Sequence, residues 1–439
     1  MAKLHAVGGF NEVGKNMLAL QLANGSAFII DCGLYLPPIV ELEEGHYTPS
    51  RLKEIDALPD DSILQSLKKD VKAILISHAH LDHVGAVPYL EKHYNAPIYA
   101  TPFTIEVLNS IARDNELKLH NKRKPIMPNS KFQVNGTEIE FLHVTHSTLQ
   151  TVIIVVHTPE GAVVYANDFK FDNSPTIGRK PDYAKLKKVA ENGVLALIVD
   201  SLYAADEIKT PSEKIAREML GDVLLNSYNE DACIIVTTFS SHIARLKSIV
   251  DFGKKLDRKI IFLGRSLYKY VTAAVRANLI DFHKDITLVS YRKDVKKVLR
   301  RVMENRTKYL IVCTGHQGEP GSVLVRLAHD ETPFRFQSRD HIIFSSKTIP
   351  AAINIANRKA LEKKLKEKNV RIFTDVHVSG HAAREDLRDL INMLKPKHVI
   401  PAHGDIQKLS TLAELCVEMG YKMEKNVHIM QNGKVLNLV

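Results

Sequence analysis

The chain has no tryptophan and only 4 cysteines in 439 residues. Cys32, Cys233, Cys313 and Cys416 lie far apart, and none belongs to a Cys-x-x-Cys pair. That excludes a disulfide framework or a cysteine-based zinc knuckle and fits a reducing cytoplasm. Long apolar runs are missing too: no stretch approaches the ~20 residues a membrane helix needs. The first residues lack the apolar core of a signal peptide. Internal repeats, low-complexity tracts and Pro/Gly/Ser linkers are also absent. What is plentiful is histidine, 20 in all, and positive charge, 60 Lys+Arg against 50 Asp+Glu for a formal +10. The basic balance is compatible with an anionic partner. At roughly 100–200 residues per domain, the length predicts about two or three domains.

The first third reads as short strands between turns. Ser26–Asp31 and Val71–Ser77 are apolar runs, and Thr137–His143 alternates with period two, which predicts one solvated face. Thr151–His157 and Ala162–Ala166 predict a hairpin around Pro159-Glu-Gly161. Ser50–Ile55, Pro59–Lys69 and Pro102–Leu119 read as helices. From about residue 205 strands alternate with helices (Cys233–Thr238, Lys259–Leu263, Tyr309–Cys313, His341–Ser345), which predicts a parallel sheet flanked by helices. The final His428–Leu438 reads as a closing hairpin around Asn432-Gly433. Two domains without a linker predict that one is inserted into the other.

The strongest chemical signal is Ser77-His-Ala-His-Leu-Asp-His83, directly after a strand. His78 and His80, two apart on extended chain, project the same way and can grip one metal. Asp82 and His83, on the following turn, can face a second. Imidazole with carboxylate suits Zn²⁺, with Mn²⁺ or Mg²⁺ as alternatives as the carboxylate share rises. Asp31, His146, Asp168 and His403 also stand near strand ends and are further candidates. Gly9-Phe-Asn-Glu-Val-Gly14-Lys15 matches part of a phosphate-binding loop, but Asn16 stands where a magnesium-binding hydroxyl is needed. Arg292–Lys308 holds eight basic residues against Asp294 and Glu304, which reads as a wall for an anionic polymer or, at least as readily, as a solvated helix face.

The order Asp31, His78-x-His80-x-Asp82-His83, His146, Asp168, His403 resembles the metallo-β-lactamase superfamily. The resemblance implies an α/β fold, an αββα sandwich with its site at one edge. It implies that His78, His80 and His146 hold one metal, that Asp82, His83 and His403 hold the other, and that Asp168 bridges. Asp31 would orient ligands rather than bind. The long insertion before His403 is similar to that of the β-CASP nucleases, whose acidic motif matches Asp200 and whose middle histidine matches His381. The implied boundaries are 1–204 and 360–439 for the split lactamase-like domain and 205–359 for the inserted β-CASP domain. Gly8–Asn16, Asp168–Asp172, Pro211-Ser-Glu213, Thr314–Pro320 and His377–Ala382 resemble the ribonuclease J group, in its shorter archaeal form. The sequence departs from that group at Ser147–Gln150, at Asn167 and at Ser201–Ala205.

A ribonuclease using two metals, Zn²⁺ foremost, is the implied function, acting 5′ to 3′ on 5′-monophosphate RNA with some endonuclease activity. Asp82, Asp200 and His381 are the implied catalytic set, with His381 at the scissile phosphate or the leaving 3′ oxygen. The Gly-rich turn Gly315, His316, Gln317, Gly318 presents backbone N–H groups that can cradle an anion. With Ser345, Ser346, His377, Ser379 and Gly380 it is the implied pocket for the RNA 5′ phosphate. RNA is the expected partner, with no membrane, a cytoplasmic location and a homodimer left open. Three other readings compete. They are a mainly endonucleolytic enzyme, a small-molecule hydrolase such as a lactamase or thioesterase, and a catalytically dead RNA-binding subunit. The insertion and charge oppose the second, and the complete ligand set opposes the third.

Overall fold

The computed structural model describes residues 1–40 and 47–438. Two mixed sheets form its centre. One has seven strands, in the order Val435–Leu438, Ala2–Gly8, Met17–Gln21, Ala27–Ile30, Val71–Leu75, Ile98–Ala100, Arg123–Pro125. The other has six: His398–Ala402, Val194–Asp200, Gly161–Ala166, Val152–Thr158, Thr137–His143, Ser130–Val134. Strand alternation supplies apolar side chains to both faces. Phe28, Ile30 and Leu75 meet Phe141, Ile154, Ile198 and Ile400 between the sheets, while Ala27, Ile29 and Ile74 face the helices outside. On the second sheet Ile153, Val155 and Leu197 pack under the helices Tyr183–Glu191, Arg384–Leu394 and Ile406–Glu418. The layers are therefore αββα.

A third sheet has six strands, all parallel: Ile286–Val289, Lys259–Leu263, Tyr309–Cys313, Ile234–Thr237, His341–Phe344, Arg371–Phe373. Helices cover both faces, and its last strand lies beyond residue 359. It docks on the sandwich through helix Arg265–Arg276 against helix Pro102–Asp114, with Lys269 paired to Asp114 at 2.8 Å. One apolar cluster, containing Phe103, Leu108, Leu246, Phe262 and Val271, runs through both units.

Four local expectations are corrected. Thr137–His143 is solvated on one face only at its start, where Glu138 is 37% exposed: Leu142 is covered from the helical side, and Glu140 is buried, facing Lys185 at 3.5 Å. Pro59–Lys69 is not a helix but a short 3-10 turn, Asp61–Leu64. Asp60 caps it, and the Asp61 carboxylate is taken by His93 and Tyr94 at 2.8 and 2.7 Å. The helix expected to Leu119 stops at Asp114, because Glu116 adopts φ 54°. The terminal hairpin does not form: Val435–Leu438 pairs antiparallel with the first strand instead.

Candidate metal centre

The strand Val71–Leu75 delivers the His-x-His segment to the sandwich edge, and His80 starts the short helix Leu81–Val84. The turn is clamped from the neighbouring loop. Cys32 N–H donates to His83 O at 2.7 Å, and Leu34 N–H to Leu81 O at 2.9 Å. Only glycine fits between them, since a Cβ on Gly33 would lie 1.6 Å from the Asp82 carbonyl oxygen. Asp31 and His403 both hold positive φ, 56° and 57°, local strain of a kind concentrated at functional sites.

Three groups of donors converge. One atom each of His78, His80, His146 and Asp168 lie within 4.8 Å of one another, as do those of Asp82, His83 and His403 and those of Asp168, His381 and His403. His80 Nδ1 lies 3.2 Å from His78 Nε2 and 3.1 Å from His146 Nε2. Asp168 joins the groups. Its Oδ2 is 3.5 Å from His78 and 3.3 Å from His146, and its Oδ1 is 3.3 Å from His83 Nε2. Asp82 Oδ2 stands 3.6 Å from His83 Nε2 and 4.0 Å from His403 Nε2.

Each ring is held by its other nitrogen, which fixes the tautomer and the aim. His78 Nδ1 meets Ser77 Oγ at 3.0 Å, and His83 Nδ1 meets Asp31 Oδ2 at 2.7 Å. His146 Nδ1 donates to the Gly380 carbonyl at 2.7 Å, and His403 Nδ1 meets Asn16 Oδ1 at 3.1 Å. His80 Nε2 meets Ser241 Oγ at 3.0 Å. Asp31 accepts twice more, from Ser77 N–H and Ser77 Oγ–H, both at 2.7 Å. Asn16, discounted above as a phosphate-loop residue, also donates to the Asp82 carbonyl at 3.1 Å. Asn167 in turn donates to Asn16 Oδ1 at 2.9 Å.

The donor set fits divalent cations. Burial lowers the pKa of His78 to about 3 and that of His80 well below the usual imidazole value, so both rings keep a lone pair for a metal. Burial lowers His146 as well. Around His83 burial also opposes charge, but Asp168, Asp82 and Asp31 outweigh it and raise the pKa well above normal, a field that favours a cation. Asp168 Oδ1 is buried without a hydrogen-bond donor. His381 stands across the centre, its Nδ1 2.7 Å from Asp200 Oδ2 and its Nε2 3.9 Å from Asp168 Oδ2. Burial opposes its charge, yet Asp168 and Asp200 lift its pKa to about 9.

The expected phosphate pocket is brought together only in part. His377, Ser379 and His381 line a cavity of about 260 Å³ with Tyr203 and Lys347. Gly315, His316, Gln317, Gly318, Ser345 and Ser346 do not line it. Gln317 is tied to Lys347 O and Ile349 N at 3.0 and 2.9 Å, and the His316 ring packs 4.3 Å from Phe239. The Gly380 carbonyl serves His146. Behind the cavity lies Arg245, fully buried, forked onto Glu213 at 2.6 and 2.8 Å. Its Nη1 donates to Ser345 O at 2.9 Å and approaches His377 Nδ1 at 3.4 Å. Lys170 Nζ donates to Ser379 O at 3.0 Å. Sequence reasoning missed Arg245, Lys170 and Ser241. Arg245 carried one signal, a cation on the same helical stripe as Ser248, Ile249 and Phe252.

An αββα sandwich with a His/Asp centre at its edge and an inserted parallel-sheet unit defines a metallo-β-lactamase-fold hydrolase with a β-CASP insertion, a superfamily that uses dinuclear metal sites. Residues 11–215 match the metallo-β-lactamase superfamily, 231–363 the ribonuclease J β-CASP domain, and 366–430 the Zn-dependent metallo-hydrolase RNA specificity domain. The chain is 42% identical to ribonuclease J of Methanocaldococcus jannaschii, covering 98% of each chain. It is 43% identical to ribonuclease J of Pyrococcus abyssi, covering 100% of this chain and 97% of that one. Ribonuclease J of Helicobacter pylori is 31% identical, with 60% of its length covered. A crystal structure of an Enterococcus faecalis protein of unknown function shares the fold, with TM-score 0.66 at 16% identity over 99% of both chains. The chain belongs to the ribonuclease J family. Among the described residues no helix is long and apolar enough to cross a membrane.

Proposed function

We infer that this chain is a metal-dependent ribonuclease that degrades RNA 5′ to 3′, with the endonucleolytic cleavage also typical of its family. The observation that carries this reading is the pair of donor groups, His78/His80/His146 and Asp82/His83/His403, with Asp168 reaching His78 at 3.5 Å and His83 at 3.3 Å, in a family of RNA-cleaving enzymes. His78, His80 and His146 would hold one cation, Asp82, His83 and His403 the second, and Asp168 both. Zn²⁺ is the proposed metal, because imidazole outnumbers carboxylate among these donors. When bound, such cations would supply Lewis-acid chemistry toward the phosphodiester and an activated water near neutral pH.

The protein's own groups do the rest. Asp31, Asn16 and Ser77 aim the rings. Asp200 holds His381 Nδ1–H, which leaves Nε2 facing the centre to donate a proton toward the scissile phosphate or the leaving 3′ oxygen. His377, Ser379 and Lys347 present donors in the cavity beside His381, where a 5′-terminal phosphate would anchor the strand one step from the cut. Residues 1–204 and 360–439 are proposed as the catalytic domain and 205–359 as the inserted one, to whose sheet Arg371–Phe373 adds the edge strand, with the cytoplasm as the place of action.

End-labelled RNA bearing a 5′-monophosphate or a 5′-triphosphate, incubated with and without chelator, tests this. Mononucleotide release from the monophosphate substrate, suppressed by triphosphate and by chelator, is expected. Equal cleavage of circular and linear RNA would refute the 5′-end anchor.

A further inference from the structure

Four of the five rings proposed as metal ligands are held by groups outside residues 205–359, namely Ser77, Asp31, Gly380 and Asn16. His80 differs. Its outer nitrogen meets Ser241 Oγ at 3.0 Å, across 161 residues of chain. In the tautomer that turns Nδ1 toward His78 and His146, Nε2–H donates to that hydroxyl. Ser241 sits just before helix Ile243–Lys255, on the inserted unit. Its backbone is set: Ile243 N–H donates to Ser241 O at 2.9 Å, and His242 N–H to Phe239 O at 3.0 Å. A second hydroxyl reaches the same segment. Tyr270 Oη, from helix Arg265–Arg276, donates to the Ala79 carbonyl at 3.3 Å, between the two histidines of His78-Ala-His80. Ser241 and Tyr270 are both buried.

We propose that Ser241 and Tyr270 are positioning residues through which the inserted unit completes the first metal site. Metal occupancy at His78, His80 and His146 and closure of the inserted unit onto the sandwich are then thermodynamically coupled. The inference rests on the metal assignment made above. Reciprocity follows from linkage: closure tightens the metal, and the metal holds the unit closed. Swinging the inserted unit away would free the His80 ring while leaving the Asp31–His83 contact intact, so the two metals would respond unequally. Partners that orient ligating histidines are worth 10–100-fold in metal affinity.

The test uses the full chain stripped of metal and titrated with Zn²⁺ against a chromophoric chelator. Ser241→Ala is expected to weaken one of two sites by about 10–100-fold, and Ser241→Thr, which keeps the hydroxyl, to restore it. Tyr270→Phe is expected to weaken the same site by less. In the native chain Zn²⁺ is expected to slow amide exchange over residues 239–243, and Ser241→Ala to remove that effect. Native affinity at both sites in Ser241→Ala overturns the inference; if that variant does not fold, native affinity in Tyr270→Phe overturns it. His80→Ala separates the two levels. If it leaves both sites intact, the metal assignment itself falls. If it weakens a site that Ser241→Ala and Tyr270→Phe leave untouched, this inference falls alone.

Discussion

Asp31 is the sharpest place to perturb the centre without touching a metal donor. Its carboxylate is buried and accepts three hydrogen bonds at 2.7 Å, from Ser77 N–H, Ser77 Oγ–H and His83 Nδ1–H. Replacing it with alanine would strand three donors at about 1–3 kcal/mol each, close to the whole ~5–15 kcal/mol that holds a domain together. Asparagine is the better probe, because it keeps the shape and changes one atom. With its oxygen on Ser77 N–H, its NH₂ faces both Ser77 Oγ, a hydroxyl that can turn to accept while still holding His78, and His83 Nδ1. The ring must then move its proton to Nε2, the atom that lies 3.3 Å from Asp168 Oδ1 and would bind the cation. Keeping the metal-competent tautomer instead sets N–H against N–H, at a cost of about 1–3 kcal/mol. Asp31→Asn should therefore weaken the metal held by His83 roughly 5- to 150-fold and leave the site of His78, His80 and His146 near its native affinity. Chelator-competition titration reads both constants, and RNA cleavage in rising Zn²⁺ should recover. Two affinities within a few-fold of native would refute the reasoning.

His381→Ala should lower kcat by about 10²–10⁴ while the protein still binds two Zn²⁺; a drop in stoichiometry would make His381 a ligand instead. Arg245→Met strips the buried Glu213 carboxylate of its forked guanidinium, leaving His242 at 3.3 Å, and should cost up to about 3–5 kcal/mol in urea unfolding; an unchanged midpoint would contradict that. Glu213 also predicts a pH signature. Burial opposes its ionisation, but His242 and Arg245 prevail and hold its carboxyl well below the usual range. The stabilisation it contributes is full above the unfolded carboxyl pKa, ~4.3, and is lost as pH falls through the folded value. The stability gap between the native chain and Glu213→Gln should thus be widest near pH 7 and shrink toward pH 3. An equal gap at both ends would count against it.

The metal motif was legible because its spacing is local. His78, His80, Asp82 and His83 follow one strand within six residues, so a strand end and a turn suffice to aim them. The alternating helix and strand after residue 205 likewise announced a parallel sheet. What stayed hidden depends on long-range approach. Asn16 and His403 meet across 387 residues, and no pattern in either segment announces the other. Asn16 read as a phosphate loop lacking its hydroxyl, whereas its carboxamide steers His403 and its neighbour Lys15 is paired with Asp56 at 3.0 Å. The misread face of Thr137–His143 has the same origin, since its cover comes from helices more than forty residues further along the chain. For the phosphate pocket, the sequence marked glycines and serines, but the structure assigns Ser345 to Arg245 and the Gly380 carbonyl to His146.

The converging donors of the centre run from His78 to His403 in a chain of 439 residues. That spread has a consequence for biosynthesis. A growing polypeptide carries His78, His80 and His83 early, but the proposed second cation would lack His403 until the ribosome has read through that residue. Ser241 and Tyr270, which brace His80, also arrive long after it. While its own messenger is still being translated, the nascent protein is a nuclease without a finished reaction centre.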